Sequence, residues 1–464
     1  MAKKLTRRSF LKGSAAAAVA LQLKKPFHTH NPNYTLAASK LNVAAIGAGG
    51  KGDSDINACA DENIVALADV DSKRAAKAFA EFEKADKYAN FRDMLDKHPE
   101  IDAVTISTPD HFHAYAADYA MRMGKHVYVQ KPLTYSIGEA RHLTLTARET
   151  GAITQMGNQG HAGDGVRTMC EDIWSGMIGD VTEVHIWTNR PVWPQGIAAP
   201  TEAQDVPETL DWNLWQGVTE HRPYNSAYLP FSWRGWWEYG AGALGDMACH
   251  IADAPNWALN LSQVGPTSVE LISVEGNNDE SFPTKSVIKY EFPARVNPAQ
   301  PPVTIFWYDG GNLPPHPKDL AADVKLGEGD NGSLFVGTEG YATCDTYAGN
   351  PRLLPRDKFR GANRHAEKSL ERVSLPGKDN WKSSQVEWLN AIKNGTQPGS
   401  NFEYSGPFTE WVVMGNLSLR FPGQKLEWDA KNMKVTNNDA ANEFVMRDFK
   451  NGLSLGKLGS YKKA

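Results

Sequence analysis

Residues 41–69, "LNVAAIGAGGKGDSDINACADENIVALAD", decide the fold of the chain. The short apolar run Leu41–Ile46 predicts a buried parallel strand. It leads into Gly47-Ala48-Gly49-Gly50-Lys51-Gly52, which fits the pattern G-x-G-x-x-G and is followed by a helical pattern. A second strand, predicted over Asn63–Ala68, ends at Asp69. A lone glycine motif is weak evidence, but this strand–loop–helix–strand order with an acidic residue about 20 positions on predicts a dinucleotide-binding unit.

Each part of this unit has a physical role toward a dinucleotide. Gly47 permits the tight turn, Gly49 lets a pyrophosphate approach the backbone, and Gly52 allows close packing of helix and strand. The helix N-terminus attracts the phosphates, and Asp69 accepts hydrogen bonds from the adenosine ribose. An acidic group there repels a 2′-phosphate, so NAD is the predicted cofactor; a glycine turn without a ligand is the alternative. The predicted contacts from this unit are Gly47, Gly49, Gly50, Lys51, Gly52 and Asp69.

Strands and helices continue to alternate up to about residue 165, as in "DAVTISTPDHFHAYAADYAMRMGKHVYVQKPLTYSIGEAR". This alternation predicts an α/β fold with a doubly wound parallel sheet, whose ligands bind outside the carboxyl ends of the strands. Lys131 follows the run "VYV" and precedes a proline that fixes the exit of the chain. Lys131 is therefore predicted at the rim of the cofactor site, although a solvated surface lysine is the alternative. The other strand ends carry Thr108, Pro109, Asp110, Gln130, Asn158, Gln159 and His161.

The pattern changes after about residue 165. Strands predicted at Thr267–Ser273, Thr284–Phe292, Val303–Tyr308 and Gly332–Gly337 are joined by loops in several cases, which indicates a mostly antiparallel sheet. We therefore predict a Rossmann domain over residues 39–165. An α+β domain for substrate binding and oligomerisation is predicted over residues 166–464.

The bulk composition fits this division. The chain of 464 residues is long enough for two domains. The net charge is −5, so the chain lacks the excess of basic residues that is typical of nucleic-acid-binding proteins, and nucleic acid is not an expected partner. Many of the 14 tryptophans fall between positions 174 and 257, where they serve either sugar stacking or a hydrophobic core. The four widely spaced cysteines are expected to be buried thiols.

The first 38 residues are set apart as a signal and linker. "KKLTRRSFLKGSAAAAVALQL" has a basic start, the pair Arg7 and Arg8, and a short, mildly apolar run. That run is about half the length that a membrane-spanning helix needs. We therefore expect export by the twin-arginine pathway, to the periplasm or beyond, without a stable membrane anchor.

From Leu41 to the C-terminus the chain resembles the Gfo/Idh/MocA oxidoreductases, the group of glucose-fructose oxidoreductase and inositol dehydrogenase. The resemblance rests on the glycine loop, on "STPDHFHAYAADYAMRMGKHVYVQKPLT" and on "YGAGALGDMACHIADAPNWAL". "NQGHAGDGVR" and "WTNRPVWPQG" resemble an exported subgroup that acts on sugars and glycosides. One departure is Gln130, which stands where the family normally carries the glutamate of Glu-Lys-Pro.

The resemblance implies roles for several residues. In the family the lysine at position 131 hydrogen-bonds the hydroxyl that is oxidised, and the histidine of Asp-x-x-x-His, here Asp246 and His250, is the general base. These two residues share a helix face if the segment is helical, so that the acid can orient the histidine. A capping aspartate beside an unrelated histidine, or a metal pair, are the alternatives. No third metal ligand is apparent, and no catalytic metal is predicted. By the same match, His113 and Asn158 are implied as cofactor contacts.

Substrate contacts are less sharply indicated. Gln159 and His161 are well placed at a strand end, and other polar or aromatic residues could line a sugar pocket by stacking and hydrogen bonding. Each of these residue types is more often core than ligand contact. The predicted substrate-binding residues are Gln159, His161, Arg190, Arg234, Trp237 and Tyr239.

The function predicted from the sequence is NAD-dependent hydride transfer at a ring carbon of a sugar or glycoside, with the cofactor tightly bound. Two alternatives remain open at this point. One is redox-neutral glycoside hydrolysis or elimination through a transient keto-sugar, and the other is a non-catalytic, NAD-bound sugar-binding protein. We also expect a homo-oligomer that assembles through the C-terminal sheet.

Overall fold

A six-stranded parallel sheet forms the N-terminal domain and confirms the predicted doubly wound architecture. The computed structural model describes residues 40–296, 299–362 and 368–461. The strand order is β3-β2-β1-β4-β5-β6. Strands β2 and β3 therefore lie on one side of β1, and β4, β5 and β6 lie on its other side. The strands are β1 (Asn42–Ile46), β2 (Asn63–Ala68), β3 (Asp86–Tyr88), β4 (Ala103–Ile106), β5 (His126–Val129) and β6 (Thr154–Met156).

Helices cover both faces of this sheet, and their ends follow from local chemistry. Ser136 and Glu139 form a reciprocal capping box at the start of the helix Ile137–Thr150. Gly151 follows this helix, and its φ of 71° suits a left-handed C-terminal cap. β4, β5 and β6 are almost wholly buried, as their apolar runs predict. The helices are α1 (Lys51–Ala58), α2 (Ala76–Glu81), α3 (Phe91–Lys97), α4 (Asp110–Arg122), α5 (Ile137–Thr150) and α6 (Asp164–Trp174). The proposed domain boundary at residue 165 falls in the first turn of α6.

A nine-stranded sheet forms the C-terminal domain and confirms the predicted, mostly antiparallel arrangement. Its order is β15-β14-β13-β7-β12-β9-β8-β16-β17, and β7 with β12 is its parallel pair. The strands are β7 (Val181–Trp187), β8 (Ser268–Glu275), β9 (Lys285–Phe292), β12 (Val303–Tyr308), β13 (Gly332–Gly337), β14 (Gly340–Cys344), β15 (Arg352–Leu354), β16 (Lys425–Asp429) and β17 (Lys434–Val435). The two-residue strands β10 (Arg295–Val296) and β11 (Ala299–Gln300) pair separately.

Five helices accompany this sheet, and the last two join it to the N-terminal domain. They are α7 (Trp212–Gln216), α8 (Gly242–Ile251), α9 (Asp253–Ala258), α10 (Ser383–Asn394) and α11 (Phe402–Leu419). α10 packs against β5, with Trp388 buried and donating to the Ile153 carbonyl, while α11 packs against α5 and α8. Both sheets therefore belong to one compact unit, in which α11 links α5 of the first domain to α8 of the second.

Several smaller features bear on the expectations from the sequence. All four cysteines are free and buried, as expected. The twin-arginine segment lies outside the described residues. Within the described residues, no helix has the length and apolar character needed to cross a membrane. Nor does that part of the chain hold a group of three or more His, Cys, Asp or Glu side chains suited to a metal ion.

The tryptophan-rich region between β7 and α8 is an aromatic core. Trp212 stacks on Trp215 with ring centroids 4.9 Å apart, and Tyr239 packs edge-on against Trp215 at 4.9 Å. Trp233 and Trp236 belong to the same buried cluster. Burial in a core thus accounts for most of these rings, which was the commoner of the two uses that composition allows.

Candidate active site

A cavity of about 810 Å³ lies where the carboxyl ends of the parallel strands face α8. Its size is in the range of sites that hold a drug-sized molecule or a cofactor. Polar groups from both domains converge on it. The predicted residues that line it are Gly47, Gly49, Gly50, Lys51, Asp69, Thr108, Pro109, Asp110, Gln130, Lys131, Gln159, Arg190, Arg234, Asp246 and His250.

The glycine loop fits a dinucleotide because it leaves no room for side chains. A Cβ on Gly47, whose φ is 80°, would lie 2.9 Å from the Ser107 backbone, and one on Gly52 would lie 1.8 Å from the Gly47 carbonyl oxygen. Gly52 is therefore a packing glycine beneath the loop. At the neighbouring strand end, Asp69 accepts hydrogen bonds from the Gly49 and Asp71 backbone N–H groups at 2.8 and 2.9 Å. Each oxygen of this carboxylate keeps a lone pair for a ribose hydroxyl.

A segment of the C-terminal domain, residues 209–217, covers the same end of the cavity, and we call it the clasp. The Ser72 N–H donates to the Thr209 carbonyl at 3.0 Å, and the Asp211 N–H donates to the Val70 carbonyl at 2.8 Å. Asn213, Leu214, Trp215 and Gly217 then line the cavity. The loop that follows Asp69 is thus bound to the clasp by backbone hydrogen bonds on both sides of Asp71.

The C-terminal tail holds the clasp in turn. The Asn451 side-chain amide donates to the carbonyls of Gly217 and Thr219 at 2.7 and 2.8 Å, and the Lys450 N–H donates to the Val218 carbonyl at 2.9 Å. Asn451 also lines the cavity. Two segments distant in the sequence therefore close the end of the cavity that holds Asp69.

Lys131, Asp246 and Arg234 form an ionic cluster at the opposite end of the cavity. The Lys131 ammonium donates to the Asp246 carboxylate at 2.9 Å and to the Asp246 carbonyl at 2.6 Å. The Arg234 Nε donates to the same carboxylate oxygen at 3.0 Å. Burial would raise the pKa of Asp246, but the two cations outweigh it and hold that pKa well below its usual range. Asp246 is thus a fixed anion that orients Lys131.

His250 lies one helical turn after Asp246 and faces the same cavity. Its Nδ1 is buried and has no hydrogen-bond partner among the described residues. Burial and the charges of Lys131 and Lys51, opposed by Asp246, together lower the pKa of His250 to about 3. The imidazole is therefore neutral near pH 7 and can accept a proton. The hydrogen bonds of the Asp246 carboxylate go to Lys131 and Arg234, so the helical spacing brings acid and histidine together without pairing them directly.

Two further residues from α4 support this end of the site. Asp110 accepts from the Ala241 N–H at 2.9 Å, and burial raises the pKa of Asp110 to about 7 against the opposing charges of Arg234 and Lys131. His113 is buried between the carbonyls of Pro132 and Thr108, each 2.8 Å from one ring nitrogen. His113 therefore links the loop after β4 to the loop after β5. Its role at the cavity is to position these two loops, without lining the cavity itself.

Other predicted residues lie outside the cavity lining. His161 is 1% exposed and contacts the Asp253 carboxylate at 3.0 Å while stacking on Trp257. Asn158 accepts from the Ser400 hydroxyl at 2.6 Å, and its buried amide nitrogen has no hydrogen-bond partner in the part of the chain that the structure describes. Tyr239 belongs to the aromatic core, and Trp237 lines a different cavity of about 370 Å³ beneath Arg420. The predicted residues so placed are Gly52, His113, Asn158, His161, Trp237 and Tyr239.

Among the residues at or beneath the site that were not predicted, Arg74, Tyr347 and Asp55 stand nearest to its charged groups. The Arg74 guanidinium lies over the glycine loop, where a Cβ on Gly50 would collide with it, and so stands where a phosphate would need a cation. The Tyr347 ring packs edge-on against His250 with centroids 5.0 Å apart. Asp55 is fully buried beneath the loop. The sequence offered a partial signal for Arg74, which follows Asp69 closely, and none for Tyr347.

Comparisons with known proteins identify the families that match the two domains. The family model "Oxidoreductase family, NAD-binding Rossmann fold" of the Gfo/Idh/MocA group matches residues 41–158, and its "C-terminal alpha/beta domain" model matches residues 174–295. A model of the twin-arginine translocation signal matches residues 4–23. Together the two domain models cover the glycine loop, Lys131, Asp246 and His250.

Curated relatives include sugar enzymes. The 1,5-anhydro-D-fructose reductase of Ensifer adhaerens is 28% identical over 203 residues, 42% of this chain and 49% of that protein. The levoglucosan dehydrogenase of Pseudarthrobacter phenanthrenivorans is 25% identical over 187 residues, 40% of each chain. The chain thus spans half or less of the length of these relatives.

Solved structures show the same fold at low identity. A levoglucosan dehydrogenase in complex with NADH and levoglucosan superimposes with a TM-score of 0.55 at 17% identity, over 84% of this chain and 99% of that one. The WlbA dehydrogenase of Bordetella pertussis in complex with NADH and UDP-GlcNAcA gives 0.56 at 18% identity, with 84% and 99% coverage. At this identity the likeness carries the fold alone.

Proposed function

Since the chain belongs to the Gfo/Idh/MocA oxidoreductase family, we propose that it moves a hydride between a ring carbon of a sugar or glycoside and a tightly held NAD. The observation that carries this proposal is the convergence of Lys131, Asp246 and His250 on one cavity with the glycine loop. A non-catalytic NAD-bound sugar-binding protein would not need a lysine fixed by a carboxylate beside a neutral histidine.

Lys131 would hold the hydroxyl that reacts. Its ammonium is already directed by Asp246, so little reorganisation is needed when a hydroxyl oxygen approaches. Negative charge that develops on this oxygen as its proton leaves is stabilised by the ammonium, with Arg234 as a second cation behind Asp246. Asp110 and Tyr347 line the same end and could orient the neighbouring hydroxyls of a sugar.

His250 would take the hydroxyl proton. With its pKa lowered to about 3 by burial, the ring is neutral but a weak base. It can therefore remove a proton only from a hydroxyl that Lys131 has made more acidic, which couples the two residues. Bound NAD would supply a hydride acceptor, so that the hydroxyl carbon loses a hydride, the hydroxyl oxygen loses a proton to His250 and a ketone results; hydride and proton are returned in the reverse direction.

The substrate class is supported by the relatives and by the form of the cavity. Two of the relatives are named after 1,5-anhydro-D-fructose and levoglucosan, which are both sugar derivatives. The lining combines polar groups such as Gln159 and Arg190 with the rings of Trp233 and Phe231. Such a mixture suits a hydroxylated ring that has one polar edge and one apolar face.

The clasp favours a redox-neutral reaction cycle as the second candidate function. Backbone hydrogen bonds from residues 70–72 to 209–211, with Asn451 behind them, would slow the release of a dinucleotide whose ribose binds Asp69. A matched twin-arginine signal supports export, and we propose the periplasm as the destination, where free NAD is scarce. A retained cofactor must be re-oxidised in place, either by a second sugar or by return of the hydride after loss of the aglycone.

Cofactor retention is tested by denaturing extensively dialysed mature protein and quantifying the nucleotide that is released. We expect close to one NAD or NADH per chain. A variant in which Asn451 is changed to Ala loosens the tail that holds the clasp, and it should lose nucleotide measurably faster during dialysis. Substoichiometric nucleotide in the wild type, together with activity that requires added NAD, would contradict tight binding and indicate an ordinary dissociating dehydrogenase.

A further inference from the structure

Asp55 is a fully buried carboxylate beneath the cavity that accepts hydrogen bonds from four side chains. Its Oδ1 accepts from Lys51 Nζ at 2.7 Å and from Gln385 Nε2 at 3.0 Å. Its Oδ2 accepts from the Ser107 hydroxyl at 2.7 Å and from Gln130 Nε2 at 2.8 Å. A buried carboxylate is costly unless it is paired and hydrogen-bonded, and this one meets both conditions.

The four donors come from four separate elements, so Asp55 fixes the position of each relative to the others. Lys51 begins α1, Ser107 follows β4, Gln130 follows β5, and Gln385 belongs to α10. The first three line the cavity. Because Gln130 directly precedes Lys131, the carboxylate lies beneath the end of the cavity where the ionic cluster of Lys131 is found.

Lys51 brings a further cation to this end, beside Lys131 and Arg234. Its side chain is 37% exposed and its ion pair is with Asp55. The charge of Lys51 also lowers the pKa of His250, so the ammonium lies within electrostatic reach of that imidazole. Gln130 is neutral and acts as a donor, so within the described residues Asp55 is the anion that balances Lys51.

We propose that Asp55 is a positioning residue which supplies, from helix α1, the negative charge that residue 130 does not carry, and that the Lys51–Asp55 pair sets the relative affinity for oxidised and reduced nicotinamide. This inference rests on the proposed function, since it assumes that NAD occupies the cavity. In this arrangement the neutral Gln130 amide is a hydrogen-bond donor to the Asp55 carboxylate.

The physical basis is the charge of the nicotinamide ring. The ring is cationic in NAD⁺ and neutral in NADH, so an unbalanced cation nearby weakens binding of the oxidised form more than of the reduced form. Without the charge of Asp55, Lys51 is unbalanced, and the bound cofactor becomes easier to reduce. Without the charge of Lys51, Asp55 remains and the opposite shift is expected.

The test measures the reduction potential of the protein-bound cofactor by equilibration with a redox dye of known potential, read from the absorbance of reduced nicotinamide. Asp55→Asn should raise the ratio of the NAD⁺ to the NADH dissociation constant about tenfold, a rise of about 30 mV in potential. Lys51→Met should lower the potential. The double variant Asp55→Asn/Gln130→Glu restores one carboxylate at the same hydrogen bond, and its ratio should return to within about threefold of wild type.

Asp53→Asn is the matched control. It removes the same charge from the same helix, but Asp53 pairs with the exposed Lys77 and does not line the cavity. It should leave the potential unchanged. Equal shifts for Asp53→Asn and Asp55→Asn, or a double variant that shifts as far as Asp55→Asn, would overturn the inference. If Asp55→Asn does not fold, Lys51→Met and the double variant Asp55→Asn/Gln130→Glu provide the test. The inference is overturned if Lys51→Met does not lower the potential, or if the double variant does not match wild type.

Failure of the proposed function gives a different result. A wild-type protein that holds no nucleotide and binds neither NAD⁺ nor NADH when they are added contradicts the function and this inference together. If the wild-type protein binds NAD but the potential of the bound cofactor does not change in Asp55→Asn or Lys51→Met, this inference alone is contradicted.

Discussion

Changing Lys131 to Met is expected to reduce turnover by about 10²–10³-fold while the protein keeps its nucleotide. The loss follows because the ammonium that stabilises the developing alkoxide is removed. His250, whose pKa is lowered to about 3, is then too weak a base to act on an unassisted hydroxyl. Nucleotide content should not change, since the glycine loop, Asp69 and the clasp are untouched. Single-turnover reduction of the bound cofactor by substrate measures the effect on the chemical step directly.

The control for this variant is Lys73→Met. Lys73 is an exposed lysine beside the cavity that does not line it, and its replacement should leave turnover within about twofold of wild type, as surface substitutions usually do. Turnover of the Lys131→Met variant at the wild-type rate would remove Lys131 from the proposed role. Loss of bound nucleotide in the same variant would instead place Lys131 among the groups that hold the cofactor.

Changing His250 to Ala is expected to lower the rate by about 10²–10⁴-fold at neutral pH, which is the usual effect of removing a general base. The loss should shrink as the pH rises, because hydroxide can replace the missing base. In the wild type, a base with a pKa near 3 is neutral above about pH 4, so protonation of His250 should not limit the rate between pH 5 and 8. Steady-state rates across this range measure both effects.

A histidine outside the site provides the control. His316 is exposed and bonds to backbone carbonyls of its own loop, so His316→Ala should keep the wild-type pH profile. A His250→Ala profile parallel to wild type at all pH values would contradict the base assignment. A wild-type rate that falls with an apparent pKa near 6.5 would contradict the neutral state that burial imposes.

The sequence predicted the fold and the cofactor because both depend on local patterns. A glycine loop between a buried strand and a helix, followed by Asp69, carries its information within about 30 residues. The long strands of the second sheet were predicted for the same reason. The two outermost strands at each side of this sheet, β15 with β14 and β16 with β17, were not, since strands of two to five residues carry little periodicity.

The partners within the site could not be read from the sequence in the same way. One helical turn separates Asp246 from His250, and this spacing suggests a direct pair, whereas the carboxylate binds Lys131, 115 positions away in the chain. His161 follows a strand end, as Gln159 does, but the packing of Asp253 and Trp257 against it decides that it is buried. Asp55 has no motif of its own, because its four donors converge on it only in the folded chain.

The most direct measurement is incubation of the purified, dialysed protein with a panel of glycosides and free sugars in the absence of added NAD. We expect the absorbance of reduced nicotinamide to appear on mixing with a productive substrate. A keto-sugar should then accumulate to at most one per chain, unless a second sugar re-oxidises the cofactor or a free aglycone shows that the hydride has returned. No reduction of the cofactor with any sugar, in a protein shown to contain NAD, would contradict hydride transfer and leave a binding protein as the remaining reading.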